Sequence, residues 1–331
     1  MRISQRFLNG SWNPSRFLGW LRYFWATRNC ITGGRAIDKT ITSDGSSSQT
    51  VTLLAIRPHP DDESTSTGGM LAYYCARDVR TGVVICTGGE EGEIHDPDLD
   101  PVADRSRLRE FRTQEVKNAC AILGVAELRM LGYRDSGMAG TPANQHPEAF
   151  VKAGRLEAAG RLVRIIRELR PSVIVTEPPG GMYPHPDHVM CYEISVDAFH
   201  AAGDAHAFPE AGPPWRPKKL YGVAQIDDGA WEKLVPKFIH AGFDMDWMER
   251  TPRRSRGPGP ETATVALDVR SYSGQHRQAM LAHRTQISPE SFLVNLPPEL
   301  RRLAFATAYF IRLSPPWTLG EHEPDLLDGL D

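Results

Sequence analysis

Two short segments of the chain combine histidine, aspartate and proline in almost the same order. The first is PHPDDE at residues 58–63, and the second is YPHPDH at residues 183–188. Imidazole nitrogens and carboxylate oxygens suit a catalytic zinc ion, which takes three protein ligands and leaves a position for water. Proline fixes the backbone φ angle, so it stiffens the loops that carry these side chains. Together the two segments predict one divalent metal site with hydrolytic chemistry.

Each of these segments follows a predicted strand. Residues 51–56 (VTLLAI) and 172–176 (SVIVT) are short apolar runs rich in branched side chains, which is typical of buried parallel strands. Further strand-like runs alternate with stretches in which apolar residues keep helical spacing. The strand-like runs lie at 83–87 and 127–131, and the helical stretches at 70–80, 108–123 and 156–169.

This alternation predicts an α/β fold, a Rossmann-like and mostly parallel sheet with helices on both faces. In an open parallel sheet the loops at the carboxyl ends of the strands line the ligand crevice. His59 and His188 are far apart in the sequence. The topology is nevertheless expected to bring their two segments to the same edge of the sheet.

The composition of the chain divides it into three regions. Residues 1–50 are rich in arginine and tryptophan and reach no acidic residue before Asp38. This leader is interpreted as a flexible segment without a role, an organelle-targeting peptide, a helix lying on a membrane surface, or an arm packed on the main domain. Residues 51–208 are predicted to form the catalytic α/β domain. Residues 209–331 are predicted to form a smaller C-terminal subdomain that closes the substrate pocket and ends in a solvated acidic tail.

Composition also excludes several classes of function. The formal net charge is −3, with 38 basic and 41 acidic residues, so no basic field favours binding of a nucleic acid. The sequence contains no run of 18 apolar residues, so a membrane-spanning helix is not expected. Five scattered cysteines without a CxxC motif indicate a reducing compartment, and we expect a cytoplasmic protein. The sequence contains neither the G-x-S-x-G motif of serine hydrolases nor the GxxxxGK motif of NTPases, so neither class of enzyme is supported.

The pair HPDDE and HPDH resembles the LmbE/PIG-L family of zinc-dependent N-deacetylases. The resemblance covers roughly residues 51–286 and includes three further pieces. These are TGGEEGE at 87–93, LGYRDSGM at 131–138 and AHRTQ at 282–286. It implies hydrolysis of an N-acyl amide, most simply an N-acetyl group, on a soluble small-molecule glucosaminide. The leader has no counterpart in it.

Carried over position by position, the resemblance implies a role for ten residues. The metal ligands would be His59, Asp62 and His188, holding Zn²⁺, although Fe²⁺ accepts the same ligands. Asp61 would be the general base, His185 the cation that stabilises the oxyanion and protonates the leaving amine, and Tyr183 a further donor to that oxygen. Asp187 would tune the neighbouring histidine. The substrate would meet Asp135, which would hold sugar hydroxyls, Met138 beside it and Ser66 on the following helix.

Branch signals within the family conflict, and two alternatives remain open. Ser66 matches the deacetylase branch, whereas the Tyr183-Pro184 pair and residues 201–221 look like the branch that cleaves mycothiol S-conjugate amides. A non-catalytic sugar-binding protein is the alternative of another class, and the presence of Asp61 and His185 argues against it. Pro58 stands where the family usually has alanine, which affects the fine geometry of His59. A homo-oligomer is left open.

Overall fold

The residues that form strands come together in one sheet. The computed structural model describes residues 51–224, 228–243, 245, 263–316 and 323–330. Its strands are β1 Leu53–Arg57, β2 Thr81–Thr87, β3 Glu127–Tyr133, β4 Val173–Thr176, β5 Lys219–Ala224, β6 Val265–Asp268 and β7 Thr307–Ser314. Their order is β3-β2-β1-β4-β5-β7-β6. Strands β1 to β5 are parallel, and β7 runs antiparallel to both β5 and β6.

Helices cover both faces of this sheet, which confirms the predicted α/β fold. They are α1 Asp62–Cys75, α2 Leu108–Leu123, α3 Arg155–Leu169, α4 Pro186–Ala202, α5 Asp228–His240, α6 Ser273–Ala282, α7 Phe292–Asn295 and α8 Pro298–Ala304. Successive residues of β1 point to opposite faces. Leu54 and Ile56 pack in one apolar layer with α3 and α4, whereas Leu53 and Ala55 pack in another with α1, α2 and α6. The core therefore has two layers with the sheet between them.

The strand order reverses between β1 and β4. From β1 the chain proceeds outward through β2 and β3, and from β4 it proceeds to β5 on the other side. The loop after β1 and the loop after β4 consequently leave the sheet side by side. Such a switch point is where open α/β sheets form their ligand crevice. The predicted meeting place of the two motif segments is confirmed.

The boundaries of several elements differ from the sequence prediction. Helix α1 begins at Asp62, eight residues before the predicted start, and its first turns bury small and polar residues rather than an apolar stripe. A methyl group at Gly68 would lie 2.8 Å from the ring of His276, so close packing explains this composition. Helix α4 and strand β7 were not predicted. Helix α2 ends where the predicted helical stretch 108–123 ends, and Gly124 follows it in the left-handed conformation with φ 82°.

Residues 209–331 contribute strands β5, β6 and β7 to the same sheet as the N-terminal strands. The described residues all belong to one compact unit. Beside the sheet, α5 and α8 share a small apolar cluster that contains Phe238, Met245, Leu296 and Ala304. A role of this region in closing the pocket stays a prediction.

The predicted acidic tail is solvated only in part, because Glu323 and Leu326 are buried whereas Pro324, Asp328 and Gly329 are exposed. Glu323 is buried, and its carboxylate accepts hydrogen bonds from Lys219 at 2.9 Å and Tyr221 at 2.7 Å. The Tyr74 hydroxyl donates to Asp325 at 2.6 Å. The segment is held by buried partners that sequence inspection does not reveal.

The interpretations of the leader concern residues 1–50, which lie outside the described residues. Among the residues that the structure describes, none of the helices combines the length and the apolar character needed to cross a bilayer.

Candidate metal centre and active site

The three predicted metal ligands come together at the switch point. His59 lies in the loop after β1, Asp62 is the first residue of α1, and His188 lies in the first turn of α4. Asp62 Oδ2 is 3.3 Å from His59 Nδ1 and 3.6 Å from His188 Nε2. All three side chains are buried, and one donor atom of each lies within 4.8 Å of the others. Two imidazoles and one carboxylate at this spacing could hold a divalent ion.

The second nitrogen of His188 fixes its tautomer. His188 Nδ1 donates to Glu177 Oε2 at 2.9 Å, and Glu177 Oε1 forms an ion pair of 2.5 Å with Arg57. These side chains are almost completely buried. His188 Nε2 then carries the lone pair, and it has no hydrogen-bond partner within the described part of the chain. A buried nitrogen without a partner, oriented by a carboxylate on its other side, fits a metal ligand.

His59 is also oriented by carboxylates. Its Nε2 lies 3.2 Å from Asp187 Oδ2 and 3.6 Å from Asp135 Oδ1, while its Nδ1 faces Asp62. Burial lowers the pKa of His59, but the negative charge and hydrogen bonds of Asp135, Asp187 and Asp62 outweigh it and raise this pKa. This excess of negative charge is electrostatically suited to a cation.

A second group of donor atoms shares His59 with the first. It consists of His59, Asp135, His185 and Asp187, whose donor atoms also lie within 4.8 Å of one another. Here the carboxylates already have protein donors: Asp187 Oδ2 accepts from the Ser136 backbone at 2.9 Å, and Asp135 Oδ1 accepts from the Gly137 backbone at 2.8 Å. The orphaned nitrogen of His188 belongs to the first group, so the first group fits a metal better.

Asp61 has an unusual backbone conformation. It lies between the two ligands of the first segment, with φ 129°, a value that non-glycine residues rarely adopt. Its carboxylate is 3.1 Å from Arg112 Nη2. Burial raises the pKa of Asp61 to about 6, with Arg112 acting in the opposite direction. A carboxylate with this pKa is ionised at neutral pH and can accept a proton.

His185 differs from the expected cation. Burial, and then the positive charge of His59, lower the pKa of His185 to about 4, so the ring is neutral near pH 7. Its Nδ1 accepts a hydrogen bond of 3.1 Å from the Asp187 backbone N–H, which leaves the hydrogen on Nε2. The Asp187 carboxylate lies within 4.8 Å of a ring nitrogen of His185, and its negative charge raises the His185 pKa against the larger effect of burial, while its hydrogen bond is to His59.

Tyr183 lies next to the imidazoles at the surface of the site. Its ring centroid is 4.4 Å from that of His188 and 5.9 Å from that of His185. The tyrosine is 41% exposed. It can therefore contact both the buried imidazoles and a molecule that approaches from solvent.

The three residues predicted to bind the sugar, Asp135, Met138 and Ser66, do not form a cluster of the kind that the metal ligands form. Asp135 is buried, and its second oxygen accepts a hydrogen bond from the Glu91 backbone, so both oxygens are used within the protein. Met138 is half-exposed in the loop after β3, and Ser66 is half-buried on α1. Their contact with a sugar stays a prediction.

Several residues that support the site were not identified from the sequence. These are Arg57, Glu63, Arg112, Glu177 and His283. Glu177 directly follows β4 and Arg57 ends β1, so position at a strand end was an available signal. His276 and His283 are both buried, and His283 also contacts Glu63 of the first segment. That contact joins residues 220 positions apart, which no local pattern indicates.

The fold and the donor set define an α/β protein with a candidate metal-binding site at the switch point of its sheet. The family model PIG-L, described as GlcNAc-PI de-N-acetylase, matches residues 54–199. A relative from Acidothermus cellulolyticus, a 1D-myo-inositol 2-acetamido-2-deoxy-alpha-D-glucopyranoside deacetylase, is 38% identical over 289 residues, which cover 84% of this chain and 95% of the relative. The chain belongs to the LmbE/PIG-L family.

Solved structures show the same fold at lower identity. The N,N'-diacetylchitobiose deacetylase from Pyrococcus horikoshii is 18% identical, with a TM-score of 0.55 over 79% of this chain and 83% of that chain. The 4-carboxy-2-hydroxymuconate hydratase GalB from Pseudomonas putida is 14% identical, also with a TM-score of 0.55, over 81% of this chain and 98% of that chain. Because the fold occurs with both activities, function must be argued from the site.

Proposed function

We propose that this protein is a zinc-dependent N-deacetylase that acts on 1D-myo-inositol 2-acetamido-2-deoxy-alpha-D-glucopyranoside. The observation that carries the reaction class is the buried His59, Asp62 and His188 donor set with its orphaned nitrogen. The substrate is taken from the relative that matches 84% of the chain. The products are the free amine and acetate.

The three donor side chains would hold the ion, and their outer partners would keep them in place. Zinc is proposed because two imidazoles, one carboxylate and an open position are typical of its catalytic sites. When bound there, zinc supplies a Lewis acid that polarises the amide carbonyl and lowers the pKa of water. Glu177 and Asp187 each contact the second nitrogen of a ligating histidine, which maintains the ring orientation.

Proton transfer is assigned to Asp61. Its carboxylate accepts a proton from the attacking water, because a pKa of about 6 leaves it ionised at neutral pH. The tetrahedral intermediate collapses as the C–N bond breaks, and the same carboxyl group returns the proton to the leaving amine. The second hydrogen of the water stays on the acid product, which ionises to acetate and releases a proton to solvent, so no cationic imidazole is needed.

The oxyanion is stabilised by donors that are already in place. His185 is neutral and carries its hydrogen on Nε2, so it donates to the oxygen without giving up the proton. Tyr183, beside His185 and His188, provides a hydroxyl for the same oxygen. Donors positioned in advance cost no reorganisation during the reaction.

The test combines metal analysis with release of amine. Purified protein is stripped with a chelator and reconstituted with one equivalent of zinc or iron(II), and its metal content is measured. It is then incubated with the N-acetylglucosaminyl-inositol and, separately, with an S-conjugated amide of the same sugar. We expect free amine and acetate from the first substrate only after reconstitution. Preferential cleavage of the conjugate would overturn the substrate, and the absence of amine from every N-acyl glucosaminide would overturn the reaction class.

A further inference from the structure

The backbone of Asp61 needs support from outside its own loop. Its φ of 129° lies in a region where a non-glycine residue is strained. Such a conformation persists only if surrounding contacts determine it. The contacts that reach Asp61 therefore identify the residues that maintain it.

One support reaches the backbone amide of Asp61 through a buried pair. The Asp61 N–H donates to Glu63 Oε2 at 3.0 Å, and Glu63 Oε1 lies 2.7 Å from His283 Nε2. Both Glu63 and His283 are fully buried. The Ser64 hydroxyl also donates to Glu63 Oε1, at 2.6 Å. Ser64 and His283 therefore both hold Oε1 of the glutamate, and Oε2 is left to accept the Asp61 N–H.

Another support reaches the Asp61 carboxylate from α2. Arg112 Nη2 donates to the Pro60 carbonyl at 2.5 Å and to Asp61 Oδ2 at 3.1 Å, while Arg112 Nη1 donates to the Gly89 carbonyl at 2.7 Å. Arg112 is 3% exposed. The guanidinium thereby fixes the side chain, whereas the Glu63–His283 pair fixes the backbone.

We propose that Glu63 and His283 are a positioning pair for the catalytic carboxylate of Asp61. The pair does not touch the substrate. It holds the Asp61 amide, and with it the direction in which the carboxylate leaves the backbone. This inference rests on the proposed function, because it requires Asp61 to act as the base. It connects the segment AHRTQ, which the proposed mechanism does not use, to the chemistry at the switch point.

The first variants separate the hydrogen bond from the bulk of the ring. His283→Leu removes the contact with Glu63, and His283→Gln retains an amide donor near the position of Nε2. We expect His283→Leu to lower kcat roughly 10- to 100-fold, since misplacement of a supported catalytic group has effects of this size. KM and zinc content should stay unchanged, and His283→Gln should recover most of kcat. The control is His276→Gln, at a buried histidine within α6 that packs on Gly68.

A double-variant cycle separates a positioning role from a purely structural one. If His283 acts through Asp61, His283→Leu should cause no further loss of kcat in an Asp61→Ala background. An equal loss in both backgrounds, or an equal loss for His276→Gln, would overturn the proposal. If His283→Leu does not fold, Glu63→Leu carries the same cycle, because it removes both the acceptor for the Asp61 N–H and the partner of His283.

The same experiments distinguish the two levels of inference. Full turnover by Asp61→Ala would reject the proposed mechanism itself. An inactive Asp61→Ala together with a fully active His283→Leu would reject only the positioning pair.

Discussion

At the scale of single residues, the proposed ligands and base of the site are oriented by hydrogen bonds to other buried side chains. Three side chains of the site are each held by a buried charged residue: His188 by Glu177, His59 by Asp187 and Asp61 by Arg112. The same side chains are the ones proposed to bind the metal or to accept the proton. This arrangement restricts each donor to one orientation before a ligand arrives. It also explains why HPDDE and HPDH include carboxylates beyond those needed as ligands.

Asp61→Asn tests the base without removing the side chain. The amide keeps the shape of the residue and tolerates a positive φ, but it cannot accept the proton. We expect kcat to fall by about 10²- to 10⁴-fold, with zinc content retained. The measurement is steady-state amine release, with Asp197→Asn on the exposed surface of α4 as the matched control. Loss of zinc from Asp61→Asn would contradict its assignment as a base rather than a ligand.

Glu177→Gln tests the outer partner of a metal ligand. Removing the charge weakens the hold on His188 Nδ1 and leaves Arg57 without its buried anion. We expect zinc affinity to fall roughly 10- to 100-fold, as is common for such partners. Competition with a chromogenic chelator measures this affinity, and Glu193→Gln, an exposed residue of α4 that pairs with Arg155, is the control. Unchanged affinity would show that the ion is held elsewhere.

At the scale of elements, the helices reach the site through their ends. Helices α1 and α4 each present a ligand in their first turn, and the residue after α6 contacts Glu63. The fixed end of each helix therefore matters more to the site than its length. In α2, the left-handed residue Gly124 ends the helix that carries Arg112.

Gly124→Ala tests that termination. A side chain at φ 82° is strained, and the new methyl would lie 3.1 Å from Cys75 Cβ. We expect the free energy of unfolding to decrease by about 1–2 kcal/mol, measured by urea denaturation. Gly140→Ala, at φ 83° with no neighbour within 4 Å, isolates the backbone strain and should cost less. An equal effect of both substitutions would show that the Cys75 contact contributes nothing.

At the scale of the whole molecule, the last described residues pack against the sheet and are bound to its strands β5 and β7. Glu323 is enclosed by Lys219, Tyr221 and Arg312, which come from strands β5 and β7. The segment thereby connects the parallel and antiparallel parts of the sheet.

Glu323→Ala is expected to lower the free energy of unfolding by about 3–5 kcal/mol, since it leaves buried cations without their anion. The kcat of the folded fraction should not change. Asp98→Ala removes an exposed partner of Arg284 and should cost less than about 1 kcal/mol. Thermal and urea unfolding curves measure both variants, and a small effect of Glu323→Ala would show that the pairs contribute little.

The sequence was sufficient to predict the α/β fold and the meeting of His59, Asp62 and His188, because strand runs and ligand types are local signals. It was insufficient for the supporting residues. Glu63 and His283 meet only through the packing of α1 against α6. The start of α1 was missed because its buried face is built from small and polar residues, and the neutral state of His185 depends on burial that a linear sequence does not display.

Strands β1 and β4 are hydrogen-bonded over only three residue pairs. His59 and Asp62 follow one of these strands, and His188 follows the other. An ion bound by all three would cross-link β1 and β4 at this short pairing, in the middle of the sheet. Local separation of β1 from β4 would move the donors apart and release the ion. Metal binding should therefore slow amide hydrogen exchange in β4. Demetallation would then loosen the centre of the protein before its periphery.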